Sequence, residues 1–135
     1  MLVNVAIVED SQDDSNKLND FLRLYENENG IQFKISKFYD AFSFLEQYTP
    51  TFDIIFMDIE LGKENGIEIA RKMREKDQDV LLIFETNIAK FALKGYEVEA
   101  MDYMLKPITY PMLCLRLNKA IEYLKKTMVG GEINI

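Results

Sequence analysis

The sequence predicts a doubly wound α/β domain, with five parallel strands forming one sheet and five helices covering both of its faces. Three observations carry this expectation. Strand-like and helix-like segments alternate strictly along the chain, the order expected of a parallel sheet joined by helical crossovers. The clearest strands are near-continuous apolar runs, such as Ile54-Ile55-Phe56-Met57, as strands buried on both sides must be. Finally, 135 residues fit one compact domain and leave little room for a second.

The elements follow in order. Met1 to Val8 is an apolar strand that stops at the acidic pair Glu9-Asp10. From Ser11 to Asn29 the spacing of Leu18, Phe21, Leu22 and Tyr25 is helical, and Asn29-Gly30 supplies the stop. Ile31 to Phe38 alternates Ile31, Phe33 and Ile35 with polar neighbours, a second strand. Asp40 can cap a short helix with the apolar face Ala41, Phe44, Leu45 and Tyr48. The third strand, Phe52 to Met57, again ends at an acid, Asp58.

A polar loop holding Gly62 and Gly66 then leads to a helix from Ile67 to Lys76, with Ile69, Ala70 and Met73 inward. Val80 to Phe84 is the fourth strand, Asn87 to Glu97 the fourth helix and Met101 to Leu105 the fifth strand. Thr109 to Lys126 closes the domain as a helix with Leu113, Leu117, Ala120, Ile121 and Leu124 in one stripe. The domain is expected to span residues 1–127. The segment 128–135, with Gly130-Gly131, reads as a linker or as the start of a further, missing output domain.

Composition narrows the chemistry. A formal charge of −7 argues against a nucleic-acid surface on this domain, because backbone binding needs clustered cations. The chain has no histidine, which removes Ser–His and Cys–His nucleophiles, most zinc sites and a histidyl phosphate. Cys114, the one cysteine, lies in an amphipathic helical stretch and reads as packing. No apolar run has membrane-spanning length and no leader precedes the first strand, so a cytoplasmic protein without membrane contact is expected.

In open α/β sheets, ligands bind beyond the carboxyl ends of the strands. Those ends are Glu9-Asp10, Asp58, Thr86 and Lys106-Pro107. Singly, Asp10 could cap the first helix and Asp58 a loop. Converged on one rim they need a cation, since two carboxylates roughly 5 Å apart repel by about 3 kcal/mol at an effective dielectric of 20. Hard carboxylate oxygens with room for water suit Mg²⁺.

The segments VAIVED, FDIIFMDIELGKENGIEIARKMRE, LLIFET and YEVEAMDYMLKPI resemble the conserved blocks of response-regulator receiver domains, over nearly the whole chain. The stretch from Phe84 to Ile108, with 20 residues from Thr86 to Lys106, is most similar to receivers of the LytR/AlgR (LytTR) type. The resemblance implies a flavodoxin-like receiver fold with strand order 2-1-3-4-5. It implies Asp58 as phosphoacceptor, assisted by Thr86 and Lys106. Glu9, Asp10, Asp58 and the backbone carbonyl of Glu60 would hold Mg²⁺, and Thr86 with Tyr103 would form the switch. It further implies a cis bond before Pro107 that aims Lys106 into the site, and a sensor histidine kinase as phosphodonor. Homodimerisation through the fourth helix, fifth strand and fifth helix is implied as well. DNA would be bound by a separate LytTR output domain and not by this one.

The chain also departs from the family. Gly62 stands where a proline is common, and Glu64 where an apolar residue is, which suggests a more mobile and more acidic loop. Glu85 adds an acid at a strand end, and alternation should turn it away from Thr86. Glu60 is expected to reach the rim and to tune phosphoryl lifetime through water. Two other classes compete. A haloacid-dehalogenase-type phosphatase also uses an aspartate after an apolar strand, but would have an aspartate at Glu60 and an opening position for the motif. A pseudo-receiver that binds without phosphorylation has no use for an intact acid triad with Thr86 and Lys106.

Overall fold

The structure is a computed structural model and describes residues 1–133. Among these, five parallel strands form one sheet: β1 (Leu2–Val8), β2 (Gln32–Phe38), β3 (Ile54–Asp58), β4 (Leu81–Thr86) and β5 (Asp102–Leu105). Their spatial order is β2-β1-β3-β4-β5, as the family resemblance implied. Every residue of β3 is buried, which explains why its sequence is apolar without alternation.

Helices cover both faces. Leu18 and Leu22 of α1 (Gln12–Asn29) and Leu113 and Leu117 of α5 (Tyr110–Ile133) pack with Val5, Ile7, Ile54, Phe56 and Ile83. On the opposite face, Phe44 of α2 (Ala41–Gln47) and Met73 of α3 (Gly66–Arg74) pack with Ala6, Val8, Ile55, Met57, Leu82 and Phe84. The period-two alternation of β1, β3 and β4 therefore divides their side chains between two apolar cores.

Local signals set the helix ends. Ser11, rather than Asp10, caps α1: its hydroxyl accepts a hydrogen bond from the Asp14 N–H. Gly30 ends that helix with φ at 65° and donates its N–H to the Glu26 carbonyl. Asp40 caps α2 through the Ser43 N–H at 2.7 Å, and Asn65 caps α3 through the Ile67 N–H at 2.8 Å.

Three stretches differ from the sequence reading. The loop after β3 closes as a short antiparallel hairpin, Glu60–Leu61 against Glu64–Asn65, with Gly62 at φ 57° in its turn. Gly62 thus supplies the left-handed conformation the tight turn requires. The expected fourth helix is one α-turn, α4 (Ala89–Ala92), followed by a 3₁₀ turn over Leu93–Val98. Ile88 offers no side-chain cap there, and Gly95 lies against the Phe84 ring, so local helical preference is weak. Finally, α5 continues past the expected end at Lys126 to Ile133. Asn134 and Ile135 lie outside the described residues. Among the described residues no helix is long and apolar enough to cross a membrane.

Candidate functional site

The chain leaves β1 toward β2 on one side and returns to β3 on the other, so the carboxyl ends of β1 and β3 flank the switch in strand order. Register makes this convergence specific. Val8 pairs with Met57, which sets Glu9 beside Asp58 at the rim. Met57 pairs with Phe84 and Thr86 with Leu105, which brings Thr86 and Lys106 to the same edge. Backbone hydrogen bonds tie these tips together, from Ile59 N–H to the Glu85 carbonyl at 2.9 Å and from Lys106 N–H to the Thr86 carbonyl at 2.8 Å.

Glu9, Asp10 and Asp58 each present a carboxylate oxygen within 4.8 Å of the other two. Glu9 and Asp58 are buried and Asp10 is exposed, a trio closed on one side and open to solvent on the other. These are hard oxygen donors with an open approach, and they fit an octahedral Mg²⁺ that keeps part of its water. The Asp58 Oδ1 atom also accepts the Glu60 N–H at 2.8 Å, so Asp58 does cap its own loop.

The Lys106 ammonium joins the acids. It donates to Glu9 Oε1 at 2.6 Å, to Asp58 Oδ2 at 2.8 Å and to Asp14 Oδ2 at 3.1 Å. The Lys106–Pro107 peptide is cis. Burial pulls the ammonium down, but the bonds to Asp58 and Glu9 outweigh it and hold Lys106 above the ordinary lysine range. Burial pushes Glu9 up to about 8; the Lys106 bond opposes that rise and the neighbouring Asp58 adds to it. Three acids thus surround one ammonium, and Asp10 stands beside two of them, so carboxyl groups outnumber cations at this rim.

Thr86 is fully buried. Its hydroxyl donates to Glu60 Oε1 at 2.8 Å, and the Asn87 N–H donates to the same oxygen at 3.0 Å. Tyr103 stands on β5 opposite Phe84 and is 41% exposed, so the ring is turned partly outward. Gly66 is obligatory for packing: a Cβ there would lie 2.2 Å from the Asp58 carbonyl oxygen and 2.8 Å from Ile59 Cα. This close approach lets α3 begin directly behind the acidic strand end.

Sequence reasoning missed two participants. Asp14 reaches Lys106 from the first turn of α1, one helical turn beyond the acid pair, and only the cap at Ser11 could have indicated its direction. Asn87 contributes its backbone, which carries no side-chain signature. Glu85 behaves as alternation required: it pairs with Met104 on the face opposite to Thr86. It is 1% exposed, and its Oε1 has no hydrogen-bond partner among the described residues. Burial pushes it up to about 8, opposed by Lys106.

Known proteins agree with this architecture. The family model described as the response regulator receiver domain matches residues 5–118. Similar proteins include the sensory transduction protein LytT of Oceanobacillus iheyensis, 28% identical over 98% of this chain and 52% of that protein. LytT of Bacillus cereus is 38% identical over 59% of this chain and 32% of its own length. The chain thus spans about half the length, or less, of these relatives. Among solved structures, the BeF3-activated DrrB receiver domain superposes with a TM-score of 0.75 at 25% identity, covering 90% of this chain and 99% of that one. A CheY-like receiver from Methanospirillum hungatei shares the fold with a TM-score of 0.73 at 20% identity, over 94% of this chain and 99% of its own. The chain belongs to the response regulator receiver domain family, and its relatives include the LytT and LytR regulators.

Proposed function

We propose that this chain is the phospho-accepting receiver of a two-component response regulator, taking a phosphoryl group onto Asp58 from a partner histidine kinase. The observation that carries this reading is the meeting of Glu9, Asp10 and Asp58 within 4.8 Å, with Lys106 bridging Glu9 and Asp58. The chain has no histidine, so a phosphohistidine donor belongs to the partner.

In the proposed reaction an Asp58 carboxylate oxygen forms the new bond to phosphorus as the phosphorus–nitrogen bond of the phosphohistidine breaks. The electron pair leaves on the imidazole nitrogen, which takes up a proton. The side chains of Glu9, Asp10 and Asp58 and the backbone carbonyl of Glu60 would hold Mg²⁺. When bound, that ion supplies neutralising charge to the transferring oxygens. Lys106, already positive and hydrogen-bonded to Asp58, adds a fixed charge on the same side. Thr86 donates its hydroxyl to the bound phosphoryl group, and Tyr103 follows it inward as the switch. Such a ligand acts by favouring one of two pre-existing conformations. The chain is a signalling receiver that assists its own phosphorylation and dephosphorylation, not an enzyme acting on a separate substrate.

The output is proposed to be LytTR-type transcription regulation in the cytoplasm. DNA would be bound by a domain in the remaining half of a longer protein, with residues 128–135 leading to it. The receiver is proposed to signal by homodimerising through α4, β5 and α5; Leu93 and Tyr96 of the 3₁₀ turn that follows α4, and Leu115 of α5, are strongly exposed. Incubation with Mg²⁺ and a small acyl phosphate should add the mass of one phosphoryl group to the wild type and none to Asp58→Asn. No added mass together with no Mg²⁺ binding would favour a pseudo-receiver, and turnover of phosphate monoesters would favour a phosphatase.

A further inference from the structure

The Glu60 side chain has no part in holding the metal in the reading above, yet it is tightly engaged. Its Oε1 accepts both the Thr86 hydroxyl at 2.8 Å and the Asn87 backbone N–H at 3.0 Å. The backbone of Glu60 is fixed by pairing with Asn65 in the hairpin and by its own N–H bond to Asp58 Oδ1. A single oxygen of a carboxylate thus sits on two donors at the tip of β4, and the same residue is tethered to the phosphoacceptor. A threonine hydroxyl has one proton to give. Its other acceptor, the Ile88 carbonyl, is at 3.4 Å and too distant to compete well. While Glu60 holds that proton, Thr86 cannot donate to another anion.

We propose that the Glu60 carboxylate is an internal stand-in for the phosphoryl group, a latch that occupies Thr86 and Asn87 until phosphorylation displaces it. The inference rests on Asp58 being the phosphoacceptor. The two anions compete for the same donors, and a phosphoryl group on Asp58 also repels the carboxylate by like charge. Release of the latch and capture of Thr86 are therefore one event. The latch holds the resting conformation and sets how much phosphoryl binding is needed to leave it. This differs from a role in positioning water, because it acts before any phosphoryl group is present.

The test uses the whole chain as Glu60→Ala and Glu60→Gln, with fluoroberyllate plus Mg²⁺ as the phosphoryl mimic. In the metal-free protein, E60A should move the Asn87 amide proton resonance and speed its hydrogen exchange, whereas E60Q, which keeps an acceptor oxygen, should change it less. Fluoroberyllate should bind E60A about tenfold more tightly than wild type, the worth of roughly one net charge-assisted hydrogen bond, with E60Q between the two. An unchanged Asn87 amide in E60A overturns the latch, and so do equal gains in E60A and E60Q, which would mark simple charge repulsion. Wild-type protein that binds no fluoroberyllate would overturn the phosphoacceptor reading itself. Wild-type binding with no gain in E60A would overturn the latch alone.

Discussion

Replacing Asp10 by Asn should stabilise the metal-free domain and destabilise the metal-loaded one relative to wild type. The Asp10 carboxylate reaches within 4.8 Å of oxygens on Glu9 and Asp58. At that distance two unit charges repel by about 3.5 kcal/mol at an effective dielectric of 20. Asp10 is exposed, so solvent screening reduces the figure, and we take about 1 kcal/mol as the expected gain. The helix cap belongs to Ser11, so the substitution leaves α1 capped. With Mg²⁺ at about a hundred times its dissociation constant, wild type gains about 2.7 kcal/mol by linkage, and the variant loses most of it. Urea denaturation followed by circular dichroism, in chelator and in Mg²⁺, reads both arms. A variant less stable than wild type in chelator would refute the electrostatic argument and make Asp10 a structural residue.

Two further substitutions probe the supports of the site. Glu85 has its carboxyl raised from an ordinary 4.5 to about 8. The neutral acid therefore contributes stability that is fully present below about pH 4.5 and is lost as pH rises through about 8. The loss is of order 5 kcal/mol at most. Metal-free wild type should weaken between pH 5 and 8.5, and Glu85→Gln should weaken by less, keeping only the part due to Glu9; parallel pH profiles in urea would contradict this. Gly66→Ala would drive a methyl group into the Asp58 carbonyl. It should cost about 3 kcal/mol and impair Mg²⁺ binding as β3 shifts, while a neutral result on both counts would mean the backbone yields freely.

The fold was largely legible because its strands are buried on both faces and stop at charges. β3 is the clearest case, since no polar residue interrupts Ile54 to Met57 and the acid that ends it is the site's central residue. Glu9, Asp10, Asp58, Thr86 and Lys106 could be placed on one rim for the same reason: each follows the last apolar residue of a strand. The short α4 could not be read. Its helical spacing over Asn87 to Glu97 is real, but an uncapped start and Gly95 under Phe84 tighten it into a 3₁₀ turn. Nor could the hairpin at Gly62, because two residues per strand give no periodicity. The Glu60 contact with Thr86 and Asn87 joins positions 26 and 27 residues apart in sequence, and the fold, not local pattern, creates it.

The central claim is that Asp58 carries the phosphoryl group and that the neighbouring acids make its transfer metal-dependent. An acyl phosphate on a carboxylate is reduced by borohydride to an alcohol, which marks the modified residue permanently. After incubation with a small acyl phosphate and Mg²⁺, borohydride reduction and peptide mapping should find homoserine at position 58. The conversion should disappear when Mg²⁺ is chelated. Reduction at another carboxylate, or at position 58 to the same extent without Mg²⁺, would contradict the account.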